Sequence, residues 1–149
     1  MPVARLSRRV HLAWHFRVTD RDLQSVFGVP VSITRFAPGG LDMNNDALPA
    51  TVTPVRLTIL RGRPYPAYKI RHVLLQVSFN DGRSWHMLHL SGHRGRWLAR
   101  VRNPGRGFVS LRSTVIDING NRSVETINRA YGIASAAPGA MLTGQPGGR

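Results

Sequence analysis

Residues 72–80 read HVLLQVSFN, in which Val73, Leu75, Val77 and Phe79 alternate with Leu74, Gln76, Ser78 and Asn80. Successive side chains of an extended chain point to opposite faces, so this period of two marks a half-buried β-strand. Asn80-Asp81-Gly82 follows at once, and residues of this kind tolerate the positive φ that a tight hairpin demands. Residues 85–90 are expected to return as the second strand of that hairpin.

The same pattern recurs downstream. Residues 96–102 place Trp97, Ala99 and Val101 on one face and Leu98, Arg100 and Arg102 on the other, before Asn103-Pro104-Gly105 interrupts them. Residues 108–117 align Val109, Leu111 and Val115 and are closed by Asn119-Gly120-Asn121; residues 122–131 supply a final strand. Upstream, strands are expected at 11–18, 32–36 and 53–60, with one helical turn at 20–25 and a long loop over 36–51. The 15 glycines and 10 prolines fall between short apolar segments, and no long stretch carries helical periodicity. About seven or eight strands at this spacing predict an all-β fold, an antiparallel β-sandwich of immunoglobulin- or fibronectin III-like kind. The expected organisation is a basic extension over 1–10, the sandwich over 11–133 and a disordered tail over 134–149.

A chain of 149 residues with 42% hydrophobic content can bury one core, and its apolar runs are too short for a membrane span. Arg5, Arg8 and Arg9 precede residues 10–16, but His11, His15 and Arg17 break that segment, which makes it a poor signal peptide. With no cysteine, disulfides, thiolate metal sites and thiol nucleophiles are excluded. The net charge of +14 would attract nucleic acid, anionic lipid or acidic polysaccharide. Lys69 is the only lysine, and the arginines are scattered instead of clustered. That distribution favours a solvated basic surface, then a polyanion-attracting one, over a specific nucleic-acid site.

VSFNDGRSW at 77–85, RWLARVRNP at 96–104 and GFVSLRSTVIDINGNRSVETINRAYGI at 107–133 together resemble the carboxy-terminal β-sandwich that follows the catalytic domain in many secreted subtilisin-like serine proteases. WHFRV, ITRFAPGGLDMNN and TPVRLTILRG resemble the first half of the same module, extending the likeness over 11–133. The resemblance implies a secreted accessory domain whose partners are a protease catalytic domain or a protein substrate. It does not imply catalysis. Subtilisin-like enzymes carry Asp-Ser/Thr-Gly, His-Gly-Thr and Gly-Thr-Ser segments, and none occurs here. Ser91-Gly92-His93 lies in an expected turn and lacks the flanks of a nucleophile.

Ser78 to Trp85 also resembles the Asp-box, S-x-D-x-G-x-T-W, with Asn80 at the Asp position. The likeness implies that Ser78, Asn80, Asp81 and Gly82 brace the hairpin above Trp85; contact of Trp85 or Trp97 with a ligand is the sharper alternative. Asp117, Asn119 and Asn121 have the alternating oxygens with which calcium loops begin, and Gly120 lets the backbone turn. No acidic residue closes such a loop, so turn-bracing by Asp117, Gly120 and Asn121 is the reading preferred to calcium. His86, His89 and His93 suggest zinc, yet His86 and His89 would face opposite sides of a strand. No pair among Asp20, Asp22, Asp42, Asp46, Asp81, Asp117 and Glu125 has glycosidase character. Trp14, Trp97 and Tyr131 are expected in the core. The sequence therefore predicts a monomeric, cofactor-free, non-catalytic accessory sandwich, with polysaccharide or polyanion binding as the alternative.

Overall fold

A computed structural model describes residues 5–16, 32–61 and 70–135. Ten strands lie within them: β1 (Arg9–His15), β2 (Ser32–Pro38), β3 (Asp46–Ala47), β4 (Val52–Arg61), β5 (Ile70–Ser78), β6 (His86–Leu88), β7 (Ser91–His93), β8 (Arg96–Arg102), β9 (Phe108–Asp117) and β10 (Arg122–Ile133). They form two sheets, and the chain is an all-β sandwich. The larger runs β1-β10-β9-β5-β6, with β3 beside the end of β10; the smaller runs β2-β4-β8-β7. Among the described residues every pairing is antiparallel except the two-residue match of β3 with β10.

The alternation read in the sequence sets which side chains meet between the sheets. Leu75 and Val77 of β5, Val109 and Leu111 of β9, Val55 and Leu57 of β4, and Ala99 and Val101 of β8 are buried and form one cluster with Tyr131 and Ile133. A large aliphatic side chain removed from water in this way contributes roughly 1.5–3 kcal/mol. Phe79, by contrast, is exposed, because β5 ends at Ser78 and the turn begins there. Trp14 also departs from its expected place: it is 40% exposed on β1, with its indole N–H donated to the Ser32 carbonyl.

Several boundaries differ from expectation for identifiable reasons. Ser91-Gly92-His93 is not a turn but strand β7, and the reversal falls at Arg94-Gly95. The expected loop over 36–51 contains β3, which has too few residues to show a period of its own. Residues 5–8, placed in a basic extension, are tied to the sandwich: Arg5 reaches Asp46 at 2.8 Å, and the Ser7 N–H donates to the Arg129 carbonyl. The helical turn expected at 20–25 and nearly all of the tail lie outside the described residues.

A polar seam joins the sheets along β2. The Thr34 hydroxyl meets Ser113 of β9 at 2.7 Å, while the backbone N–H groups of Ser32 and Thr34 donate to the side chains of Ser123 and Glu125 on β10. Those amides belong to the edge of the smaller sheet, where pairing groups would otherwise stand open.

Candidate functional site

Ser78 and Asn80 build the hairpin between β5 and β6 from within. The Ser78 hydroxyl donates to Asn80 Oδ1 at 2.9 Å and accepts from the Gly82 N–H at 2.8 Å. Asn80 holds Ser84 twice, accepting from its N–H and donating from Nδ2 to its hydroxyl. Asp81 and Gly82 both take positive φ, 59° and 86°. Trp85 is half-buried beside this turn, and a Cβ added to Gly82 would lie 3.3 Å from the indole.

The indole carries a guanidinium. Arg112, on the outer face of β9, stands 4.1 Å above the Trp85 ring, and its Nε donates to Thr126 on β10 at 3.1 Å. Its register partners, Gln76 and Thr126, place it at the middle of the larger sheet. A second clasp comes from Arg129, which no sequence motif singles out. It sits in a bulge of β10, at a φ of 58°, and binds Asp81 bidentately at 2.9 Å through both Nε and a terminal nitrogen. The same guanidinium lies 4.1 Å from the Phe108 ring. That hydrogen bond, partly opposed by burial and aided by the charges of Arg129, Arg8 and Arg83, holds the Asp81 carboxyl below its ordinary range. A cleft of about 610 Å³ opens between the hairpin and β10, lined by Arg8, Arg9, Trp85, Arg112, Thr126 and Asn128 together with Asp81 and Gly82.

Asp117 sits at the far end of β9. Its Oδ1 accepts from the N–H groups of Asn119 and Asn121, and its Oδ2 from the Asn121 side chain and Arg61. Burial raises this carboxyl, but the donors of Asn121, Asn119 and Arg61 outweigh burial and hold it below its usual value. The Arg61 guanidinium at 3.1 Å occupies the counterion position, so these oxygens bend the loop around Gly120 and leave a cation no open carboxylate. His86 lies against Phe79, with ring centroids 6.3 Å apart, and His93 pairs with Arg96 across β7 and β8. Among the described residues no three His, Asp or Glu side chains converge on a common point.

Trp97 points inward from β8, half-buried against the core. The opposite, outer face of the same sheet holds Arg35, Arg56, Arg96, Arg100 and Arg102, all exposed. Arg35, Thr58, Arg96 and His93 stand directly across from one another in one row, and Ser91, Leu98, Arg56 and Ala37 form the next. β2, β4, β7 and β8 contain no acidic residue. Scattered in sequence, these arginines are gathered by register, and strand alternation was the signal that could have grouped them. A scan against family models and searches of curated proteins and of solved structures found no match to the chain, so its resemblance to the subtilisin-like module rests on the quoted motifs alone.

Proposed function

We propose that the domain is a non-catalytic binding module that engages an acidic polysaccharide across the outer face of the smaller sheet. The observation that carries this reading is the arginine face itself: five exposed guanidinium groups with no carboxylate on any of the four strands. Arg100 and Arg102 alternate on β8 about 6.8 Å apart, and Arg56 of β4 lies diagonal to Arg35 of β2 and to Arg96 of β8, so the charges spread over a face wide enough to meet a polymer of sulfate or carboxylate groups. Arginine presents a planar fork that binds such groups through two hydrogen bonds. Among the strand residues of this face His93 carries an exposed imidazole, but no Trp, Tyr or Phe is present on which a nucleic-acid base could stack. An accessory role beside a subtilisin-like catalytic domain belongs to the same proposal, as do secretion, engagement of a protein substrate and immunoglobulin- or fibronectin-like kinship. These rest on the order of motifs in residues 77–133.

Retention on immobilised heparin across a salt series tests the reading. The chain is expected to elute at higher salt than a generic basic protein of equal net charge. Replacing Arg35, Arg56, Arg96, Arg100 and Arg102 by Gln should abolish that difference, flattening the salt slope by about one for each arginine–anion pair removed. Equal retention of the wild-type and substituted chains, or tighter retention on duplex DNA than on heparin, would overturn it. Casein cleavage by the purified chain, blocked by a serine-directed inhibitor, would overturn the non-catalytic part.

A further inference from the structure

The cleft beside Trp85 lies on the outer face of the other sheet, and its charge is one-sided. Arg8, Arg9 and Arg112 line it, and its one carboxylate, Asp81, is already bound bidentately by Arg129. Arg112 is held in place by two fixed groups, the indole beneath it and the Thr126 hydroxyl at its Nε. Its terminal amino groups meet no acceptor among the described residues. A guanidinium fixed by its ring partner and its Nε loses less rotamer freedom when it binds an oxyanion than a free arginine would. The Trp85 ring, already carrying Arg112, serves as a support and is not an open platform for a nucleobase. Asn128 and Thr126 add neutral hydrogen-bonding groups next to the cations, the combination suited to a hydroxyl-rich ring bearing one negative group. At about 610 Å³ the space falls among small-ligand sites.

We propose that this cleft binds a single oxyanion-bearing sugar unit, its sulfate ester or carboxylate on Arg112 between Arg8 and Arg9, its hydroxyls on Asn128 and Thr126. The inference rests on the polysaccharide reading and deepens it: the arginine face holds the length of a chain, and the cleft, across the sandwich, holds one residue of another segment.

The test follows the indole N–H signals of the full chain by NMR while glucuronate, glucosamine 6-sulfate, glucose or a nucleoside monophosphate is added. Glucuronate or glucosamine 6-sulfate should shift the Trp85 signal, and the arm that does so identifies the anionic group. Arg112→Gln should weaken that sugar's binding about tenfold or more, the size of one charged hydrogen-bonding partner. Arg8→Gln should weaken it without touching Trp85, which keeps the result separate from any disturbance of the stack. The chain lacking the five arginines of the smaller sheet should bind the sugar unchanged while losing heparin retention. No shift with either acidic sugar, equal binding of glucose, tighter binding of the nucleoside monophosphate, or unchanged affinity in Arg112→Gln overturns the cleft proposal, even where heparin retention still depends on the arginine face.

Discussion

Tyr131 is wholly buried, and its hydroxyl donates to Asn103 Oδ1 at 2.8 Å, while Asn103 Nδ2 donates to Thr53 at 2.7 Å. Burial pushes the phenol up to about 12, with the Thr53 hydroxyl opposing it in part, so the group stays a donor throughout the ordinary pH range. Tyr131→Phe should cost about 1–3 kcal/mol in urea unfolding, because Asn103 keeps a buried acceptor without its donor. The denaturant slope should be unchanged. In the sequence Asn103 is legible only as a turn residue. Its burial, with only 4% exposed, goes with a contact to a side chain 28 positions away, which no local pattern announces. Arg129 is hidden for a related reason: its role depends on a bulge and a left-handed φ that a non-glycine residue in a strand does not advertise. The hydrogen bonds among Ser78, Asn80, Gly82 and Ser84, by contrast, are local to one turn, whereas Asp81 and Trp85 in the same segment are held by Arg129 and Arg112 from distant strands.

Strands with strong alternation, β5, β8 and β9, were legible because the same residues that set the period also fill the core. β7 was not, since Ser91, Gly92 and His93 are all exposed and offer no apolar face. What makes β7 a strand is its fit to β8. Gly92 has a φ of 129°, and a Cβ there would collide with the Arg96 carbonyl oxygen and come within 2.9 Å of Trp97 Cα. Gly92→Ala is therefore expected to detach β7, lowering stability by about 1–3 kcal/mol and speeding amide exchange of the β8 N–H groups that face it. The seam along β2 behaves differently with pH. Burial raises the Glu125 carboxyl above its ordinary value near 4.5, with the Thr34 N–H partly opposing, so protonation as pH falls through that raised value favours the folded chain. The lowered Asp117 acts in the other sense: its stabilisation is full above the ordinary aspartate value near 3.8 and is lost as pH falls through the depressed one. Urea midpoints measured from pH 7 downward should first rise and then fall. Glu125→Gln should remove the rise and Asp117→Asn should reduce the fall, to which the lowered Asp81 also contributes; a profile that only falls would contradict the Glu125 assignment, and one that only rises the Asp117 assignment.

Among the described residues, the sandwich sorts its charge by depth. Asp117 and Arg61 neutralise each other inside, Asp81 and Arg129 at the hairpin, and the excess arginine is left on the outer faces. Sequence alone supplied the sign of that excess but not its place, because a face is assembled from strands that are dozens of residues apart. The same long reach governs how the chain is made. β10 pairs with β1 at one side and β9 at the other, takes β3 at its end, and supplies Ser123 and Glu125 to β2 across a separation of 91 residues. Until residues as far as Asn128 have left the ribosome, β1 lacks its partner strand β10 and the β2 edge lacks its cover. The larger sheet is thus completed last at its β1 edge, and the nascent chain must wait, with β1 unpaired, for the late strand that joins it to the rest.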